Sequence, residues 1–296
     1  MALRFGLVGT GFWARITHAP ALASTEGVQL AGVWGRDAVA AAALAADFGV
    51  TAYGDVDDMI EAVDAVAFSV PPDVQAAIAL RAARAGRHLL LEKPIATSLA
   101  AAEALARAVR ASGVASVVFF TARFQPLVRA WLAELAAVPG WVGGSGLWLG
   151  SAFQEGSPFD TPWRRDKGGL WDVGPHAVSL MWAALGPVVA VRAEAGLGDI
   201  VHLVLRHESG ATSTVTVTIG AVPAAARTTC FVWGGAGRSA MPTEHAGSEV
   251  ALRVALAELA SNARSGAVDH PCDVMFGRDV VAVLAEAEHQ IRTDLS

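Results

Sequence analysis

The sequence predicts an α/β protein in which a doubly wound parallel sheet is followed by an α+β domain with an open-faced, mainly antiparallel sheet. Three observations predict it. Apolar runs of strand length alternate with helical stretches up to about Phe120. A glycine-rich turn follows the first of those runs. Beyond Phe120 the period changes to two, and Val215, Val217 and Ile219 alternate with Thr214, Thr216 and Thr218. Domains are therefore expected at residues 1–120 and 121–296.

In the first domain, strands are expected to end near Val8, Val33, Val70, Leu91 and Phe120, with helices over Ala38–Phe48, Asp57–Ala62, Val74–Ala85 and Leu99–Ala111 between them. The run Ala65–Val70 is apolar on both faces, and Pro71-Pro72 stops it at the sheet edge where ligands gather. In the second domain a helix is expected over Leu127–Ala137. Strands follow at Val142–Leu149, Val188–Glu194, Ile200–His207, Thr212–Ile219 and Arg227–Val232, then a loop at Gly234–Gly237 and helices at Ser248–Ala263 and Val274–Ile291.

Composition narrows the classes. A length of 296 residues accommodates two domains with substantial cores, and 53% hydrophobic content excludes disorder. A net charge of -6 leaves no basic face for nucleic acid and no cationic patch for a membrane surface. The uncharged stretch Val173 to Val191 is broken by Gly174-Pro175 and Gly186-Pro187, so it reads as a buried helix plus a strand and not as a membrane span. Cys230 and Cys272 stand far apart in no C-x-x-C pattern, which argues against a disulfide framework or a structural zinc site and for a cytoplasmic setting. No metal ligands are assigned. The start Met1-Ala2-Leu3-Arg4 runs straight into the first strand, so no signal peptide is expected.

Gly9-Thr10-Gly11-Phe12-Trp13-Ala14 is a G-x-G-x-x-A turn between a strand and a helical stretch. Its first glycine makes the tight turn, its second lets the backbone approach a pyrophosphate, and its small last residue allows close packing, so a dinucleotide's phosphates can rest on the helix amino end. The second strand ends in Trp34-Gly35-Arg36-Asp37. Gly35 stands where an acid would bind the ribose hydroxyl of NAD, Arg36 supplies a cation for a 2′-phosphate, and Asp37 reads as the cap of the next helix. NADP is the expected cofactor; NAD is the alternative if Asp37 reaches the ribose. Pro71, Glu92 and Lys93, at the ends of later strands, complete the expected cofactor-binding set.

Lysine occurs twice in the chain against twenty arginines, and Lys93 stands in Glu92-Lys93-Pro94 directly after the apolar run Leu89–Leu91. Where arginine serves for nearly every surface cation, a retained lysine suits a site that needs a compact, titratable ammonium. Glu92 is expected to orient Lys93 or bond backbone. In Lys167-Gly168-Gly169-Leu170-Trp171-Asp172-Val173-Gly174-Pro175-His176, Asp172 and His176 are four apart and would share a helix face. Such a pair is commonly a surface or capping pair. Here two glycines and Pro175 at a helix start give a hinge that aims both into a cleft, where a carboxylate orients an imidazole acting as proton donor and acceptor.

These elements resemble the family of glucose-fructose oxidoreductase, inositol dehydrogenase and the rhizopine-catabolism protein MocA over nearly the whole chain. The matching features are Gly9–Ala14, Tyr53-Gly54-Asp55, the buried strand ending at Pro71, Glu92-Lys93-Pro94, Arg123-Phe124, Trp163-Arg164, Gly168-Gly169, and Asp172 with His176. The resemblance implies a Rossmann domain for the cofactor and a sheet domain for a small-molecule substrate, with homo-oligomers, dimers or tetramers, formed through the open sheet. It also implies Lys93 as polar clamp and proton-relay member, His176 as general acid/base, and Asp172 as its partner or a substrate ligand. Gln75 stands where many members carry histidine, and Ser179 where an acid is frequent.

Hydride transfer from a carbinol carbon requires that the hydroxyl proton leave too. His176 would take it, and Lys93, followed by a special peptide bond at Pro94, would hydrogen-bond the same oxygen. Arg123, Trp163, Arg164 and Lys167 are candidate substrate contacts, although most of the tryptophans crowding the second domain are expected to be core. A sugar, polyol or related cyclic alcohol is what the resemblance implies. Two other classes stay open at this point: a non-catalytic dinucleotide-binding regulator, and a glycoside hydrolase that uses bound NAD transiently.

Overall fold

The computed structural model describes residues 2–294, so Met1, Leu295 and Ser296 of the expected domains lie outside the described residues. The first sheet is built from β1 (Leu3–Val8), β2 (Val28–Trp34), β3 (Thr51–Ala52), β4 (Ala65–Phe68), β5 (His88–Glu92) and β6 (Ser116–Phe119). Between them run α1 (Ala19–Ser24), α2 (Ala38–Phe48), α3 (Val56–Ala62), α4 (Pro72–Arg84) and α5 (Leu99–Ser112). The strands are all parallel in the order β3-β2-β1-β4-β5-β6. That order reverses direction between β1 and β4, the switch point outside whose carboxyl ends such sheets bind ligands. Every residue of β4 and β6 is buried, as expected of strands covered on both faces.

The remaining elements are α6 (Pro126–Ala136), β7 (Trp141–Leu149), α7 (Pro162–Asp172), α8 (Gly174–Leu185), β8 (Val188–Ala195), β9 (Val201–His207), β10 (Thr212–Thr218), β11 (Arg227–Gly234), β12 (Gly237–Ala240), α9 (Ser248–Ser265) and α10 (Val274–Asp294). The second sheet has the order β12-β11-β7-β10-β9-β8, antiparallel throughout except for the parallel pair β7 and β10. β9 alternates buried and exposed residues along its length, because α8 covers one face of the sheet while the other stays open. The open face carries Val204, Thr214 and Trp233. Thr218 departs from the expected alternation. It is buried because its hydroxyl donates to the Asp199 carboxylate at the strand end.

A single cut at residue 120 does not describe the chain. The stretch ending at Phe124 groups with Ala246–Arg278, and Gln125–His245 groups with the stretch from Asp279 onward. The cause is α9, whose buried residues Ala251, Leu252, Ala255, Leu256 and Leu259 pack against α1, β5 and β6. The segment after it is also tied to β6: Val118 N donates to Cys272 O at 2.7 Å, and Val274 N to Ser116 Oγ at 3.1 Å. Periodicity showed that α9 has an apolar face, but not which sheet it covers. Two short edge strands, β3 and β12, were also not expected.

Cys230 and Cys272 are both buried and unbridged, and burial pushes the Cys230 thiol up to about 12. Among the described residues no helix is long and apolar enough to cross a membrane.

Two histidines set an acid limit on stability. Burial lowers His88 and His207 below the ordinary 6.5, against a smaller opposing effect of Asp64 on the first and of the Gly186 carbonyl on the second. His88 Nδ1 accepts from Ala115 N at 3.0 Å, a bond lost on protonation; His207 bridges Gly186 O and Ser213 Oγ at 2.8 and 2.9 Å. The folded state thus binds fewer protons than the unfolded chain between the lowered values and 6.5. The stabilisation is fully present above 6.5 and is lost as pH falls through that window. We expect Tm to drop on acidification from neutral pH, and the double variant His88→Gln/His207→Gln to show a flatter Tm–pH curve. Parallel curves would contradict this.

Candidate active site

In the first unit the site grows from the ends of β1, β4 and β5. Gly9 takes φ 127, a conformation open to glycine, and a Cβ there would strike the Ser69 backbone after β4. Gly9 N donates to Trp34 O at 2.8 Å and Ser69 N to Val8 O at 2.8 Å, so the turns after β1, β2 and β4 are tied side by side. Gly11 is different: a Cβ there would meet nothing within 4 Å, which leaves the backbone clear for a close ligand. Arg15 N donates to Gly11 O at 3.1 Å, so a helical amino end begins at this turn. Open space over Gly11, a glycine-only conformation at Gly9 and the switch point fit a dinucleotide's pyrophosphate.

The helix does not run regularly from there. Ala14–His18 forms a π-turn before α1, and such turns are frequent at functional sites. Fully buried His18 reaches Glu92 Oε1 at 2.9 Å, and Trp13 Nε1 donates to the same oxygen at 2.7 Å. The other carboxylate oxygen, Oε2, accepts from Lys93 N at 3.2 Å. One carboxylate therefore joins the glycine turn to the lysine turn, the backbone-bonding role expected of Glu92. The Lys93–Pro94 peptide is cis, and Lys93 is half-buried.

Gln75, fully buried, holds the lysine turn from below. Its Nε2 donates to Glu92 O at 2.8 Å and Pro94 O at 3.2 Å, while its Oε1 accepts from Glu92 N at 2.8 Å. An amide satisfies this set because it both donates and accepts. Gln75→Leu would leave buried backbone groups without partners, and we expect a loss of about 2–4 kcal/mol in chemical denaturation. A change below about 0.5 kcal/mol would show that the clamp does not bear on stability.

The end of β2 carries the residues expected to select the cofactor. Asp37 Oδ1 accepts from Val39 N and Ala40 N at 2.9 and 3.0 Å, the cap expected for α2. Arg36 is exposed, and Trp34 and Gly35 are half-buried beside Thr10 and the glycine turn. Phe12 is 44% exposed at the tip of that turn. Pro71 stands at the cap position just before α4, with Ser69 and Val70 between it and the end of β4. Arg123 lies in the 3-10 turn Thr121–Phe124, its guanidinium 5.6 Å from the Phe276 ring centre.

In the second unit, Asp172 and His176 lie on two helices and not on one. Asp172 is the last residue of α7 and His176 lies in the first turn of α8, with Val173 between them and Pro175 beside His176 in that turn. Within α7, Gly168 adopts φ 60 and ψ -165, a glycine-only conformation that restarts the helix at Gly169. The glycine hinge is thus present, one turn earlier than the break between the two residues. His176 is half-exposed in a run whose neighbours Gly174, Pro175, Ala177 and Val178 are buried. Ser179 is buried and donates to His176 O at 2.9 Å.

Asp172 is buried and faces Arg164, with Nε to Oδ2 at 3.0 Å. Arg164 also lies 4.8 Å over the Trp163 ring and 5.5 Å over Phe159. Lys167 Nζ is 3.3 Å from Glu288 Oε1 and 5.8 Å from the Trp171 ring centre. Both cations are engaged by carboxylates inside the unit. Trp148 and Trp171 are buried, as expected of core tryptophans. Among the described residues no group of His, Cys, Asp and Glu could hold a metal ion.

Sequence reasoning missed two contributors. His18 stands alone in an apolar run, a signal of burial that did not name Glu92 as its partner. Asp199 sits in Gly196-Leu197-Gly198-Asp199, which reads as an ordinary hairpin turn, yet its carboxylate accepts from Gly169 N at 3.0 Å.

Residues 3–120 match a model described as an oxidoreductase family with an NAD-binding Rossmann fold, and residues 144–239 match the corresponding C-terminal domain. The chain belongs to the GFO/IDH/MocA family. Among curated relatives, the D-xylose 1-dehydrogenase (NADP(+)) 2 of Haloferax volcanii is 30% identical over 72% of this chain and 68% of its own length. The UDP-N-acetylglucosamine 3-dehydrogenase of Acidithiobacillus ferrooxidans is 38% identical, over 35% of this chain and 32% of that protein. For two further relatives the matched stretch spans 29% and 40% of their length. An oxidoreductase domain protein from Kribbella flavida shares the fold with a TM-score of 0.87 at 24% identity, covering 99% of this chain and 98% of that one.

Proposed function

We propose that this GFO/IDH/MocA protein is an NADP-dependent dehydrogenase or reductase that moves a hydride between nicotinamide and a carbinol or carbonyl carbon of a sugar, polyol or related cyclic alcohol. The observation that carries the reading is the Glu92 carboxylate. It joins Trp13 of the glycine turn to the backbone of Lys93, so that the cofactor turn and the lysine are positioned by one group. Relatives named for D-xylose and UDP-N-acetylglucosamine support the sugar class.

Gly9, Thr10, Gly11, Phe12 and Trp13 would hold the pyrophosphate, and Trp34, Gly35 and Arg36 the adenosine end. Bound nicotinamide supplies the hydride acceptor or donor. His176 takes the hydroxyl proton as the carbinol is oxidised and returns it to the carbonyl oxygen in reduction. Lys93 hydrogen-bonds that oxygen and stabilises the negative charge developing on it. Asp172, neutralised by Arg164, fixes the turn that leads into His176. Trp163 and Arg123 remain the side chains proposed to meet substrate. Association through the open face of the second sheet, and a cytoplasmic setting, belong to the same reading.

A panel of aldoses, polyols and inositols offered with NADP+, followed by the absorbance of the reduced cofactor, tests it. Net cofactor reduction by at least one member is expected. No reduction across the panel, with carbonyl counterparts and NADPH equally inert, would count against the reading.

A further inference from the structure

Asp199 lies at the tip of the β8–β9 hairpin, closed by Gly196 N to Ile200 O at 2.8 Å. It is surrounded by donors alone. Oδ2 accepts from Gly169 N at 3.0 Å and Ile219 N at 2.8 Å; Oδ1 accepts from Gly220 N at 3.2 Å and from the Thr218 hydroxyl. Four donors fill the acceptor positions of an ionised carboxylate. Gly169 is the first residue after the Gly168 break, so its N–H is the open amino end of a restarted helix, where a negative charge is favoured. Asp199 caps that helix from another element.

The cap leads on to His176 through backbone. Val173 N donates to Gly169 O at 3.0 Å, and His176 N to Val173 O at 3.1 Å. Gly169 has no room to slide: a Cβ on it would lie 2.5 Å from Thr218 Cα. The segment carrying Asp172 and His176 is thus pinned to the end of β10 at one point, and a carboxylate makes the pin.

We propose that Asp199 is a positioning residue for His176, setting the imidazole through Gly169 and Val173. The proposal rests on the reading of His176 as the proton-handling group. Alanine removes all four contacts at once, whereas asparagine would keep its oxygen on Gly169 N and Ile219 N and donate its NH2 to the Thr218 hydroxyl, which also accepts.

The test uses protein with 13C-labelled histidine, free of cofactor and substrate. The His176 ring signal is one of eight histidines and is assigned by its loss in His176→Gln. In Asp199→Ala the His176 signal should shift or broaden while that of His18 stays in place. Thr218→Val, which removes one of the four donors, should move it less and in the same sense. Leu205→Ala, a core truncation in β9, should lower Tm without moving it. With the sugar that the panel identifies, Asp199→Ala should lower kcat about tenfold or more with the cofactor KM unchanged, and should cause no further loss in a His176→Ala background. A His176 signal unchanged in both Asp199→Ala and Thr218→Val, or an equal loss of turnover in the His176→Ala background, would overturn the proposal. Near-normal turnover in His176→Ala alone would instead overturn the catalytic reading beneath it.

Discussion

Replacing His176 with alanine is expected to lower turnover by about a hundredfold or more while leaving the cofactor dissociation constant nearly unchanged. The imidazole handles the substrate proton, and the cofactor turn lies in the other unit of the chain. Lys93→Arg should fail as well, despite keeping its charge. Lys93 is half-buried on a turn held by Glu92 and Gln75, where a broad guanidinium cannot reproduce the donor geometry of a compact ammonium. If both groups serve one oxygen, the double variant loses much less than the product of the single losses. Steady-state kinetics and calorimetry of the cofactor check all three statements; near-normal turnover in both single variants would leave a dinucleotide-binding regulator as the better account.

NADPH should bind more tightly than NADH. A Cβ at Gly35 would lie 2.7 Å from Thr10 Cγ2, so an acidic side chain at the ribose position would have to displace the Thr10 side chain. Asp37, the nearest carboxylate in sequence, is occupied as the α2 cap. Arg36 is exposed beside it. A charge-assisted contact to a 2′-phosphate contributes roughly 1.5–3 kcal/mol, so Arg36→Ala should weaken NADPH by about ten- to a hundredfold and leave NADH unchanged. Calorimetry with both cofactors decides the matter, and NADH binding at least as well as NADPH would remove Arg36 from its role.

The parts of the fold legible in the sequence were those governed by local pattern. The alternation of β10 up to Val217, the doubly buried β4 and the Asp37 cap follow from side-chain alternation and capping chemistry within a few residues. What was not legible depends on partners distant in sequence. The assignment of α9 to the first unit rests on which sheet its apolar face meets. Thr218 is buried because Asp199 folds over it. The same holds at the site: Glu92-Lys93-Pro94 and the Asp172–His176 spacing stood out as motifs, but the Glu92 bonds to Trp13 and His18, the Gln75 clamp and the Arg164 pair with Asp172 span gaps that no spacing rule covers. The helix break at Val173 was missed because Asp172 and His176 fit one helical turn equally well on paper.

The central claim is that a hydride passes between substrate carbon and nicotinamide. A substrate from the panel, deuterated at its reacting carbinol carbon, would be incubated with this protein and NADP+, and the recovered cofactor examined by mass spectrometry and proton NMR. The account predicts one deuterium at C4 of the reduced nicotinamide for each molecule of carbonyl product, with reduced cofactor accumulating. Product formed without net reduction of the cofactor, or reduced cofactor free of deuterium, would contradict it.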